Sequence, residues 1–328
     1  MDPSTRPPLY RVKKIKKYYG TGPSLFHPHA RILRAVDEVD LAIYPHETVG
    51  LVGESGCGKS TLARLMMHLE PVSGGTMEYL GRDITRITDR DLFLFRRQVQ
   101  MIFQDAWASL NPRQRIGDMI REPLENYRLT GKKLLSARVE ELLELVGLEK
   151  AHLSRYPHEL SGGERQRVTI ARALAVEPRI LICDEATANL DVSIQAQMVN
   201  LLITLQQRLG LSYLFISHDL ALVKHLSDRI AVMYLGKIVE MLDSSALVER
   251  ARHPYTQSLL AAVLPIAGEE PLRSLPVLKG EAFYDAAAAQ GCGFCPRCSQ
   301  AGDLCWKMTP RLWEMEAGHF VACHLIQA

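Results

Sequence analysis

Gly53-Glu-Ser-Gly-Cys-Gly-Lys59-Ser60 fits the spacing G-x-x-x-x-G-K-[ST], a pattern whose chemistry is the gripping of phosphate. Glycines let the backbone turn so that successive N–H groups converge on phosphate oxygens, and the helix that follows adds partial positive charge. Lys59 is spaced to bridge β- and γ-phosphates and the Ser60 hydroxyl to ligate Mg²⁺, while Gly53, Ser55, Gly56, Gly58 and Thr61 complete the nucleotide contacts. Further along, the aliphatic run Ile180–Cys183 ends in Asp184-Glu185. Two adjacent carboxylates repel phosphate unless a metal intervenes. Asp184 suits Mg²⁺ through its hydration shell, and Glu185 suits a general base on the attacking water. A third chemistry is soft. Cys292, Cys295, Cys298, Cys305 and Cys323 crowd the end of the chain, whereas Cys57 and Cys183 stand alone. In a reducing compartment such a cluster reads as a metal site before a disulfide framework. Cys183, inside an aliphatic strand, reads as a small buried hydrophobe.

These residues need elements to carry them. Thr48–Gly53 reads as a short buried strand entering the Gly-rich turn, and a helix from Lys59 to about Leu69 stops before Pro71 and Ser73-Gly-Gly75. From Arg31 onward the pattern is strand-like. Between about Leu92 and Leu160 it turns to helical periodicity, as in Ser136–Gly147, so a helical insertion is expected over about 92–165. Strand and helix then alternate: Arg179–Cys183, Ser193–Leu209, Ser212–Ile216, Leu220–Leu226 and Arg229–Met233. That alternation implies an α/β fold with a mostly parallel sheet and helices on its faces. The expected organisation is a flexible N-terminus at 1–9, a catalytic body at 10–242 and a C-terminal extension at 243–328. An alanine tract at 286–289 serves as spacer before the Cys-rich segment at 291–324.

The 328 residues suit two compact units at about 150 per domain. With 47% apolar and 23% charged residues the chain is an ordinary folded protein. Lys plus Arg number 39 against 37 Asp plus Glu, a net +2, so bulk charge does not point to a nucleic acid partner. Every long apolar stretch is broken by charges or proline, and the basic N-terminus lacks an apolar h-region. A protein that stays in the cytosol is expected.

Leu160-Ser-Gly-Gly-Glu-Arg-Gln166 stands between the phosphate loop and Asp184. With it the sequence resembles the ATP-binding cassette (ABC) ATPases, whose signature is LSGGQ-like, over roughly residues 10–240. Glu164 stands where that family often has Gln. The resemblance implies that Tyr19 stacks on adenine, with Tyr18 as the adjacent alternative. It also implies that Gln104 in Ile-Phe-Gln-Asp contacts Mg²⁺ and water, that Asp191 lies in the D-loop and that His218 contacts the γ-phosphate. Ala186 and Asn189 depart from the residues commoner around that D-loop. In this family two cassettes pair head to tail, and Ser161, Gly162 and Gly163 of one chain complete the γ-phosphate site of the other. ATP and Mg²⁺ are the implied ligands.

Ser109-Leu-Asn-Pro-Arg113 and His253-Pro-Tyr-Thr256 resemble the oligopeptide/dipeptide importer branch, as does the Cys-rich end with Gly318-His-Phe-Val-Ala-Cys323-His324. Nickel and glutathione importers share that branch. The resemblance implies a four-iron, four-sulfur cluster on Cys292, Cys298, Cys305 and Cys323. Cys295 is an alternative ligand and a Cys₄ zinc site the competing chemistry. It further implies import of dipeptides or oligopeptides at the cytoplasmic face of the plasma membrane. The implied partners are a second cassette, identical or a paralogue, two transmembrane permease subunits and an extracytoplasmic substrate-binding protein. A soluble ABC ATPase acting on nucleic acid, with a zinc-type tail, is the other reading. A P-loop kinase leaves Leu160–Gln166 unexplained.

Overall fold

In the computed structural model the described residues are 7–21, 31–131, 133–188, 190–263 and 291–326. Residues 1–6 of the expected flexible N-terminus, Asn189 and the alanine tract at 286–289 lie outside them. In chain order the elements begin with strands β1 (Tyr10–Thr21), β2 (Arg31–Ile43) and β3 (Thr48–Val52), then helix α1 (Lys59–Met66). Strands β4 (Gly74–Tyr79) and β5 (Arg82–Asp83), helix α2 (Asp89–Gln98) and strand β6 (Val99–Ile102) follow. Helices α3 (Ala106–Ser109), α4 (Ile116–Asn126), α5 (Leu135–Leu145) and α6 (Gly162–Leu174) come next. After these, β7 (Ile180–Asp184), α7 (Val192–Leu209), β8 (Ser212–Ile216), α8 (Leu220–Leu226), β9 (Arg229–Tyr234) and β10 (Lys237–Asp243) alternate. The chain closes with α9 (Leu247–Arg250), α10 (Pro254–Val263), α11 (Asp303–Lys307) and the hairpin β11 (Trp313–Glu316), β12 (His319–Val321).

Two units arise. One gathers the described residues of Met1–Tyr44, Thr48–Thr85 and His218–Ala328. In it β2, β1, β4 and β5 form an antiparallel sheet. A second set of strands runs β11-β12-β10-β9-β3, with β3 parallel to β9 and every residue of β3 buried. The other unit gathers Pro45–Glu47 and Arg86–Ser217. It pairs β6, β7 and β8 in parallel, with β7 and β8 buried throughout, as strands covered on both faces must be. Helices α4, α5 and α6 bury Ile116, Ile120, Leu142, Leu143, Val168 and Ile170 in the same unit.

The expected parallel pairs are present in β3 with β9 and in β6, β7 and β8, and antiparallel pairs add to them; the turns give the reason for the antiparallel ones. Leu80-Gly81 and Leu235-Gly236 both place two successive residues at positive φ, 51° and 74°, then 43° and 82°. That backbone reverses the chain in two residues and makes the flanking strands antiparallel. Strand β6 interrupts the expected helical insertion because Val99, Met101 and Ile102 are buried beside β7. Leu9, the last residue of the stretch expected to be flexible, is buried and donates its N–H to the Ile43 carbonyl. Beyond 243, β12 pairs with β10, Glu240 opposite Val321.

Candidate functional site

The phosphate loop leaves β3 at Val52 and turns into α1 at Lys59. Two of its glycines, Gly53 and Gly58, are demanded by contact as well as conformation. A Cβ on Gly53 would lie 2.2 Å from the Met233 carbonyl oxygen, and one on Gly58, at φ 110°, would lie 2.1 Å from that of Ala35. Lys59 is buried, and its Nζ donates to the carbonyls of Gly53 at 2.8 Å and Glu54 at 3.0 Å. The ammonium is thereby folded under the loop, held by two neutral oxygens. Ser55 and Gly56 are exposed, and Ser60 and Thr61 half-buried. Burial pushes the Cys57 thiol up despite the neighbouring Lys59, so Cys57 acts as packing.

Tyr18 and Tyr19 are separated by their partners. The Tyr18 hydroxyl donates to Asp37 at 2.5 Å, and burial with that bond pushes its pKa up to about 12. Tyr19 is exposed, donates to Glu70 and carries the Lys17 ammonium 5.0 Å from its ring centroid. Its hydroxyl also interacts with Thr61, which sets Tyr19 beside the start of α1. His218 is exposed, and its neighbour Asp219 caps α8 by accepting from the N–H groups of Ala221 and Leu222.

In the other unit β7 ends on the buried Asp184, and Glu185 follows in left-handed backbone at φ 48°. A non-glycine residue there is strained, and such strain concentrates at working sites. The Glu185 N–H donates to the Ile216 carbonyl at 2.9 Å, and its Oε2 accepts from Gln104 Nε2 at 2.8 Å. Residues 81 apart in the chain are therefore brought together, with the amide orienting the carboxylate. Burial pushes the Cys183 thiol up to about 12, as befits a buried hydrophobe.

Ser161 is the exposed N-cap of α6. Its Oγ accepts from the Glu164 N–H at 3.3 Å, and Glu164 Oε2 accepts from the Ser161 N–H at 2.7 Å. Those bonds to Ser161, backbone first, hold the Glu164 carboxyl down to about 2, with His152 Nε2 also 3.1 Å from Oε1. Glu and Gln can both close this capping box, so the departure from the family's Gln leaves the helix start intact. Gly162 is half-buried, while Gly163 has no room for a Cβ, which would meet Ile194 at 2.8 Å. Asp191 is the exposed N-cap of α7, without a side-chain capping bond.

At the Cys-rich end the Cys292 N–H donates to the Cys305 carbonyl at 2.7 Å, and the Cys295 and Cys298 N–H groups donate back along the same segment. Burial pushes the Cys292 thiol up to about 12, with Cys295, Cys305 and Cys323 adding to the effect. Cys298 and Cys323 are raised by burial too. All five thiols are free of disulfides. They are neighbours, yet among the described residues no three His, Cys, Asp or Glu side chains converge to hold one metal ion. What sequence reasoning did not find is that this segment reaches the phosphate loop. Arg297 pairs with Glu54, and Tyr255 of the His253-Pro-Tyr-Thr string accepts from the Glu54 N–H. The string was visible; its destination was not. Among the described residues no helix is long and apolar enough to cross a membrane.

The family profile described as "ABC transporter" matches residues 36–188, and that of the "Oligopeptide/dipeptide transporter, C-terminal region" matches residues 239–305. The chain is 45% identical over 319 residues to the oligopeptide transport ATP-binding protein OppF of Escherichia coli, covering 96% of this chain and 95% of that one. It is 43% identical over 320 residues to the oligopeptide transport ATP-binding protein AppF of Bacillus subtilis, covering 97% of each. Among solved structures it is similar to the ATP-binding cassette MJ0796 in a dimeric, post-hydrolysis state bound to ADP and Pi. That likeness has a TM-score of 0.63 at 27% identity and covers 72% of this chain and 98% of that one.

Proposed function

The chain belongs to the ABC transporter family, in its oligopeptide/dipeptide branch, and from that premise we propose how its residues use ATP to energise peptide import through separate membrane subunits. The phosphate loop receives the β- and γ-phosphates on its backbone amides, and Lys59 swings from the Gly53 and Glu54 carbonyls to the phosphate oxygens. Tyr19 stacks on adenine, since Tyr18 is committed to Asp37. Glu185, oriented by Gln104, takes the proton of the attacking water, and His218 contacts the γ-phosphate. Ser60 and Gln104 would hold Mg²⁺ directly and Asp184 through water, an oxygen-donor set that suits a hard cation. When bound, Mg²⁺ neutralises charge developing on the phosphates.

One copy does not finish its own site. Ser161 is exposed and Gly162 half-buried at the start of α6, and with Gly163 they close on the γ-phosphate of a neighbouring cassette, with Asp191 beside them. The neighbour is a second cassette, and the pair works at the cytoplasmic face of the membrane with two permease subunits, which an extracytoplasmic binding protein serves from the other side.

The soft donor set supports a four-iron, four-sulfur cluster on Cys292, Cys298, Cys305 and Cys323, with Cys295 in reserve. Each thiolate of such a cluster has its own iron, so its ligands need not converge on one ion as around zinc. Iron with acid-labile sulfide and a brown colour in the purified chain is the expected finding; a colourless sample holding zinc alone contradicts it.

The observation that carries the transport reading is that the likeness to oligopeptide transport ATP-binding proteins runs through the Cys-rich end as well as the cassette. Its test is uptake of labelled peptides by vesicles bearing the chain and its membrane subunits. Uptake only with ATP and peptide is expected, and ATP-independent uptake contradicts it.

A further inference from the structure

Glu54, the second residue of the phosphate loop, is gripped from the far end of the sequence. Arg297 Nη1 donates to Glu54 Oε2 at 2.7 Å and Nη2 donates to Oε1 at 2.9 Å, a two-pronged pair in which the arginine side chain is only 8% exposed. The guanidinium lies 5.9 Å from the Tyr234 ring centroid, and Nη1 reaches the Tyr234 hydroxyl at 3.4 Å. Beside it the Tyr255 hydroxyl accepts from the Glu54 N–H at 2.8 Å. Tyr234, Tyr255 and Phe294 pack with ring centroids 4.6 to 5.5 Å apart, so both grips share one aromatic floor. Arg297 ends the single turn Cys295–Arg297, between two cysteines. The loop that must present its amides to phosphate is thus fixed at side chain and backbone by the Cys-rich segment and the His253-Pro-Tyr-Thr string.

We propose that Arg297 is a positioning residue for ATP binding: it holds Glu54, and Glu54 holds the phosphate loop in the shape that receives nucleotide. The inference rests on the reading that Gly53–Ser60 binds ATP. A bidentate, charge-assisted pair at a mostly buried arginine defines one geometry, as a lone lysine cannot. Its loss frees the loop to sample shapes that do not bind, and Kd rises as the inverse of the fraction of time left in the binding shape.

The test is the dissociation constant for Mg-ATP, measured on the purified full chain and on variants, with kcat and KM taken in the transport assembly. Arg297→Ala and Glu54→Gln should each raise Kd and KM roughly tenfold and leave kcat within about twofold. The double variant should be no worse than either single one, because both remove the same link. Arg297→Lys should recover part of the loss. Should Arg297→Ala fail to fold, Tyr255→Phe, which removes only the acceptor of the Glu54 N–H, should still raise Kd about threefold. An unchanged Kd in folded Arg297→Ala, or losses that multiply in the double variant, would overturn the proposal. A wild-type chain that binds no ATP would sink the nucleotide-site reading itself, whereas binding with unaffected variants would sink only the role of Arg297.

Discussion

The side chains that matter most here are fixed by partners a short motif does not mention. Gly58 is glycine because its backbone sits at φ 110° with the Ala35 carbonyl where a Cβ would go. Gly58→Ala should therefore cost at least about 2 kcal/mol of stability, read from denaturant unfolding, and a neutral change would show the loop to be pliant. The two tyrosines divide their labour in the same way. Tyr19→Ala should weaken ATP binding about fivefold, the worth of one aromatic stack, and Tyr19→Phe should not. Tyr18→Phe should leave ATP affinity alone and lose about 1 kcal/mol of stability with its bond to Asp37. Equal effects on affinity at both positions would contradict the assignment.

At the scale of elements, helix α6 depends on its first turn. Glu164→Ala removes half of the capping box and should cost about 1 kcal/mol, whereas Glu164→Gln, which keeps the bond and loses the charge, should cost less than Glu164→Ala by thermal unfolding at neutral pH. The loop before α10 carries a pH dependence of its own. The Glu240 carboxylate, fully buried on β10, accepts from the Arg252 and His253 N–H groups and from His319 Nε2. His253 sits beside it, and burial holds its pKa down to about 4 from 6.5, against the pull of Glu240. Between those values the unfolded chain binds the extra proton, so stability should fall as pH drops from about 6.5 to about 4. His253→Asn, whose amide oxygen can still accept from the Tyr255 N–H, should flatten that slope; an unchanged slope would remove His253 as its source.

Much of this scale was legible in the sequence. Ser212–Ile216 and Leu220–Leu226 stand where the pattern set them, because buried runs bounded by turn residues leave one solution. Strand β1 was hidden by its own irregularity. Tyr10 and Val12 are buried, then a register shift around Lys14, at φ 46°, moves burial to Ile15 and Lys17, so four lysines mask a broken alternation. Strand β6 was hidden because it follows α2 with no glycine or proline between them. The Leu-Gly turns are local signals of antiparallel hairpins, masked by the stronger alternation of strands and helices around them. The pairing of Gln104 with Glu185 was reachable only through family resemblance, and that of Arg297 with Glu54, 243 residues apart, had no local signal at all.

For the molecule as a whole, the functional parts are distributed so that no stretch of chain works alone. The phosphate loop, Tyr19 and His218 belong to one unit, and the loop is held by a C-terminal segment far off in sequence. Gln104, Asp184, Glu185 and the Ser161 loop belong to the other. An assembly that couples ATP to import requires a nucleotide bound without being spent until the machinery has closed, and we propose the carboxylate of Glu185 as the group that ends that state. The most direct measurement is ATP turnover by the vesicle-reconstituted assembly carrying Glu185→Gln, with bound nucleotide counted in the same sample. Turnover should fall by roughly two to four orders of magnitude while ATP stays bound. Hydrolysis at a rate near that of the unaltered chain would contradict the account.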